Sequence, residues 1–170
     1  MSFSMYDAAI PTFIHTLTSL KNILKKGAAH AEAKKFDPAN LLNARLAPDM
    51  FPLTRQVQIA SDMAKSSAAR LTGTDAPKYE DVEKTFDELI ARVDKTIDYL
   101  KTFTPGQFEG AETRTVTVTT SRGSFTFDGK TYLRHWALPN FFFHVTTAYN
   151  LLRHNGVELG KADYLGSVQG

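Results

Sequence analysis

The stretch LPNFFFHVTTAYNLLRHNG, Leu138 to Gly156, decides the fold. Pro139 has the fixed φ and missing N–H that suit a first helical turn, and Asn155-Gly156 is a pair that ends one. The segment therefore predicts a helix from Pro139 to about Asn155. Phe141, Ala148 and Leu151 lie along one stripe, while Phe142, Val145, Tyr149 and Leu152 form a second stripe beside it. A helix with apolar residues on two sides is a central one, packed against more than one neighbour. Asn140 and His144 fall into the first stripe at helical spacing, so an amide and an imidazole point towards the core. Those residue types form either a hydrogen-bonded polar pair or part of a ligand set.

Working backwards, three more segments carry helical periodicity. From Ser4, the series Tyr6, Ile10, Phe13, Leu17, Leu20, Leu24 recurs at steps of four and three and ends near Gly27, with Pro11 inside it. His15 falls on the polar side of this helix, which predicts a solvated histidine. Leu53, Val57, Ala60, Ala64, Ala68 and Leu71 mark a second helix, closed by Gly73. Gln56 lies within that stripe and is expected to face in; Gln58, Ser61, Asp62 and Lys65 share the opposite side and are expected to face water. Val82, Phe86, Leu89, Ile90, Val93, Ile97 and Leu100 mark a third helix whose charged face reads as solvated, with Glu80/Lys84 and Glu88/Arg92 at the favourable acid-first spacing. Between the first two helices lies a long connection in which Asp37-Pro38 opens a short helix.

The period changes from 3.6 to 2 after Glu112. Thr115-Val-Thr-Val-Thr alternates, Ser121-Arg-Gly turns, and Ser124-Phe-Thr-Phe alternates again, which predicts a β-hairpin with Val116, Val118, Phe125 and Phe127 on one face. An isolated hairpin is marginal in water, so that face is expected to lie on the helices. Lys130 to Leu138 is expected to add a turn or two of helix. The last segment, VELGKADYLG, has no period and is expected to wrap the end of the helices as a loop.

Composition narrows the function classes. The 170 residues suit a single domain, residues 1–170, and 20 basic against 18 acidic residues give a formal charge of only +2. The lysine clusters at 21, 25 and 26 and at 34 and 35 are not interleaved with aromatics, so no nucleic-acid partner is expected. Without cysteine there are no disulfides, thiolate nucleophiles or zinc–thiolate sites. No apolar run is long enough to span a membrane and no secretory signal is evident, so a cytoplasmic protein is expected.

Four helices, a long connection after the first, and an inward histidine twelve residues before a glycine resemble the DinB/YfiT-like superfamily of metalloenzymes. More closely, APDMFPL with QVQIA, LPNFFFHVTTAYNLLRHNGV and LGKADYLG resemble a branch of it known as a domain of unknown function. The resemblance implies a mainly all-α, up-down four-helix bundle with the long connection after helix 1 and the hairpin inserted before helix 4. In metal-binding members of that superfamily one histidine comes from the second helix and two, as HxxxH, from the fourth; thiol-dependent transferases and an isomerase are among them. On the matching positions this chain carries Gln56, Asn140 and His144. Amides are neutral, weak ligands for zinc or nickel, so no tightly bound metal is expected, and any metal would sit on His144 with Asn140 and Gln56.

Two functional readings follow. The first is a small-molecule-binding or structural homodimer in which Gln56, Asn140 and His144 form a satisfied polar cluster under a pocket rimmed by Trp136, Lys161 and Tyr164, with no cofactor. The second is a divalent-metal-dependent or histidine-based enzyme, a transferase, isomerase or hydrolase, with His144 as ligand or general base. The homodimer expectation rests on the surplus apolar face of the last helix.

Overall fold

The computed structural model describes residues 4–167. Helix α1 (Met5–Lys34) starts at a capping box: the Asp7 N–H donates to the Ser4 hydroxyl oxygen, and the Ser4 N–H donates to the Asp7 carboxylate. Pro11 is accommodated without ending the helix. It lies on the exposed side, as does Asp7 one turn earlier, where a carbonyl without an N–H partner is open to water. The helix continues past Gly27 and closes at Lys35, which takes the left-handed conformation. A Cβ on Gly27 would come within 3.1 Å of the Leu152 and Phe86 side chains, so glycine there permits close approach of two other helices.

The connection that follows holds the short α2 (Ala39–Leu42), and α3 (Leu53–Thr72) then runs to Gly73, at φ 72°. Helix α4 spans Phe86–Leu100. The hairpin strands β1 (Thr115–Thr120) and β2 (Gly123–Asp128) pair antiparallel, with Val116 opposite Phe127 and Val118 opposite Phe125. Both valines are buried, whereas Thr115, Thr117 and Thr119 alternate outward. Helix α5 (Gly129–Tyr132), a π-helical turn (Leu133–Ala137) and α6 (Leu138–His154) then form one continuous helical path. Pro139 is therefore not the start of the last helix; the preceding turn is wound wider, with the Leu138 N–H reaching back five residues to the Leu133 carbonyl. Helix α7 (Lys161–Leu165) occupies the segment expected to be a loop and packs on α1. His15, on the exposed side of α1, is 2.6 Å through Nε2 from the Leu165 carbonyl, so this histidine holds the C-terminal segment.

Helices α1 and α3 each contact both α4 and α6, and α1 and α3 also touch one another. The shared core is the set of stripes, including Phe13, Leu17, Leu20, Val57, Leu89, Val93, Phe141 and Leu152, each fully buried. Phe13 and Phe141 meet edge to face with ring centroids 4.9 Å apart. The fold is mainly helical with a two-stranded hairpin. Among the described residues no helix is long and apolar enough to cross a membrane.

The largest departure from the sequence expectation concerns residues 74–85. The apolar period suggests a helix beginning near Val82, yet Val82 is 63% exposed and the chain is non-helical until Phe86. Thr85 and Glu88 form a capping box that starts α4 there. The strap formed by 74–84 brings Asp81 and Glu83 to the groove between α3 and α4. Arg92, expected on a solvated face, is only 4% exposed and pairs with Glu83, Asp62 and Asp81, each at 3.0 Å, while donating to the Glu80 carbonyl. Gln58, Ser61 and Lys65 are buried in the same region rather than facing water. The Lys65 ammonium sits 4.0 Å from the Tyr79 ring centroid, and Lys95 is 4.2 Å from it.

Candidate functional site

Gln56 and His144 meet between α3 and α6. Gln56 is 1% exposed because it sits within the apolar stripe of α3, one turn from Leu53 and Ala60. Its side-chain nitrogen donates to the Phe51 carbonyl at 3.1 Å, and its Oε1 lies 2.7 Å from His144 Nδ1. These two contacts fix the chemistry of the imidazole. A carbonyl only accepts, so the Gln56 nitrogen faces Phe51 and its oxygen faces His144; an oxygen only accepts, so Nδ1 carries the proton. In the neutral ring Nε2 then presents a lone pair. Nε2 has no hydrogen-bond partner among the described residues, and His144 as a whole is partly exposed.

Burial pushes the His144 pKa down, and the charge of Arg55 adds to the effect, bringing it to about 4. Arg55 was not singled out by its sequence position. It extends from α3 to pair with Asp81 of the strap and hydrogen-bonds Gln58, with its guanidinium 5.9 Å from the Phe51 ring centroid. Phe51 and Phe143 are both more than half exposed, and the Phe143 ring stands edge to face with His144 at 5.2 Å. The site is thus a neutral acceptor with the exposed Phe143 ring beside it, influenced by one cation, Arg55, which lies over the exposed Phe51 ring.

Asn140 does not join the pair by a hydrogen bond. Its side-chain nitrogen donates instead to the Trp136 carbonyl at 2.7 Å. That carbonyl belongs to the widened turn, where the regular four-residue pairing is disrupted, and the amide supplies a donor. The three proposed rim residues also separate. Trp136 packs against Phe125 and Phe127 of the hairpin, at 5.4 and 5.6 Å between ring centroids. Lys161 and Tyr164 line a different cavity with Thr146, Tyr149 and Asn150, where the Thr146 hydroxyl donates to the Tyr164 hydroxyl.

To a divalent metal this set would offer one imidazole and two neutral amides. Gln56 Oε1 is held by the His144 N–H, and neither Gln56 nor Asn140 brings negative charge. A cation at Nε2 would keep its full charge near Arg55, with no carboxylate or thiolate in the set to offset it. Among the described residues no group of three or more His, Cys, Asp or Glu side chains is placed to hold a metal.

Comparison with known proteins gives the family. No curated protein matches the chain. The crystal structure of a DinB family member protein from Shewanella denitrificans superposes with a TM-score of 0.90 at 45% sequence identity, over 96% of this chain and 93% of that one. Residues 5–165 match the family described as a domain of unknown function, DUF1993. The chain therefore belongs to that family and shares the helical fold of a DinB family member.

Proposed function

We propose that the protein is an up-down four-helix bundle of the DinB/YfiT-like kind in which a neutral pair, Gln56 and His144, stands where metal-binding relatives carry histidine ligands. In this reading it binds a small molecule that donates a hydrogen bond to His144 Nε2 and lays an apolar part against Phe51 and Phe143. The observation that carries the reading is the 2.7 Å bond from His144 Nδ1–H to Gln56, itself held by Phe51, which leaves one oriented lone pair without a partner among the described residues.

The low pKa favours binding over histidine-based catalysis. With a pKa of about 4, roughly one imidazole in a thousand is protonated at pH 7, so Nε2 is available as an acceptor. The same value makes it a weak base, well below the range that suits proton abstraction near neutrality. The exposed rings of Phe51 and Phe143 also support a homodimer, because a second copy covering them would close the open side of the site.

A fragment screen read by proton–nitrogen spectra of the His144 ring tests the proposal. Ligands carrying O–H or N–H donors are expected to shift Nε2 and to lose at least tenfold in affinity against His144→Phe. Ligands that bind that variant equally well would refute it. The metal-dependent alternative is separated by zinc and nickel titration: no sub-micromolar binding is expected for the wild type, and binding should appear in a Gln56→His/Asn140→His variant.

A further inference from the structure

A second cavity, sharing no residue with the Gln56–His144 pair, lies between the first turn of α1, the loop at 109–114 and the widened turn that joins α5 to α6. Its volume is about 470 Å³, within the usual range for small-ligand sites. Met5, Ala8, Leu133 and Leu138 give it an apolar floor. Three charged side chains, Lys130, Arg134 and Glu112, also line it.

The local sequence explains why these groups converge. A Cβ on Gly129 would lie 1.9 Å from the Ala111 carbonyl oxygen, so glycine alone lets α5 begin pressed against the loop. Asp128 caps that start by accepting from the Thr131 N–H and hydroxyl. Lys130 and Arg134, one turn apart, then stand on the same side of the helical path. Both are exposed, and among the described residues neither they nor Glu112 forms an ion pair.

We propose that this cavity is a binding site for an amphipathic carboxylate, with the tail on the apolar floor and the carboxylate between Lys130 and Arg134. Two cations against one carboxylate set the sign of the ligand, and the apolar floor excludes a small hydrated anion as its proper occupant. A neutral amphiphile would leave the cationic rim unpaired, and a cationic one would meet it with like charge.

Calorimetric titration of the full chain with decanoate, decanol and decyltrimethylammonium tests the assignment. Decanoate is expected to bind at least tenfold more tightly than either of the others, since two charge-assisted hydrogen bonds are at stake. Lys130→Gln/Arg134→Gln is expected to weaken decanoate by about tenfold or more while leaving decanol within about twofold. Glu112→Gln is expected to tighten decanoate, a change of opposite sign that loss of folding could not imitate. Equal binding of the three amphiphiles, no decanoate binding, or a double variant that binds decanoate unchanged would overturn the proposal.

Discussion

Two polar clusters are buried on opposite sides of α3, one neutral and one ionic. On the α6 side Gln56 and His144 satisfy one another with a single neutral hydrogen bond, and burial suppresses the charge of the imidazole. On the α4 side burial likewise works to discharge Arg92, but its hydrogen bond to Glu83 and the charges of Asp62, Glu83 and Asp81 outweigh it and hold its pKa above the ordinary value. Arg92 Nε and Ser61 Oγ have no partner there among the described residues. The lesson is that a buried ionisable group keeps its charge only when several opposite charges reach it. His144 has none and instead has Arg55 nearby, so it stays neutral.

That contrast can be broken most severely one residue from Arg92. Val93 is fully buried, and Val93→Asp would introduce a carboxylate with no such set of partners. The variant is expected to be unfolded, since an unpaired buried charge costs several kcal/mol against a total stability of roughly 5–15 kcal/mol. A soluble protein with an unchanged melting temperature would show that α4 is not packed as described. Next in size, Arg92→Met should lower stability by about 3 kcal/mol in urea denaturation, because it leaves Glu83 without a cation and Asp62 and Asp81 with one each, Lys65 and Arg55. A loss under about 1 kcal/mol would place the network among ordinary surface ion pairs.

The neutral cluster makes a smaller, pH-dependent contribution. A histidine whose folded-state pKa lies below its unfolded value gives stability that is fully present above about pH 6.5 and is lost as the pH falls towards 4. Wild type should therefore lose about 1–2 kcal/mol more than His144→Gln between pH 7 and pH 5. Parallel pH profiles would mean that His144 is not held neutral. The smallest effect is expected at the edge of the strap: Thr85→Ala removes the α4 cap and should cost about 1 kcal/mol in thermal or urea denaturation.

Much of the fold was legible because it depends on periodicity. The stripes of α1, α3, α4 and α6 supply the core, and strict alternation at 115–119 and 124–127 located the hairpin and its shared face, of which Val116 and Val118 are buried while Phe125 stays exposed. Gln56 could be assigned inward for the same reason, since its place within an apolar stripe fixes its direction. The ionic cluster was hidden because Glu88 and Arg92 stand at the spacing of an exposed helical pair, and Val82 happens to continue the apolar period. The Thr85-x-x-Glu88 capping signature was the available signal that α4 starts late. Once the helix starts there, the preceding residues are free to lie along the groove and bury Arg92. Nothing in the periodicity marks the widened turn at Leu133–Ala137, and that turn diverts Asn140 to the Trp136 carbonyl.

Gln56 holds His144 as a neutral ring with its proton on Nδ1. Long-range proton–nitrogen correlation spectra followed through an acid titration report both the tautomer and the pKa of that ring. The Nδ1–H tautomer is expected at neutral pH, with a midpoint near pH 4. An Nε2–H tautomer, or a midpoint at or above about 6.5, would contradict it.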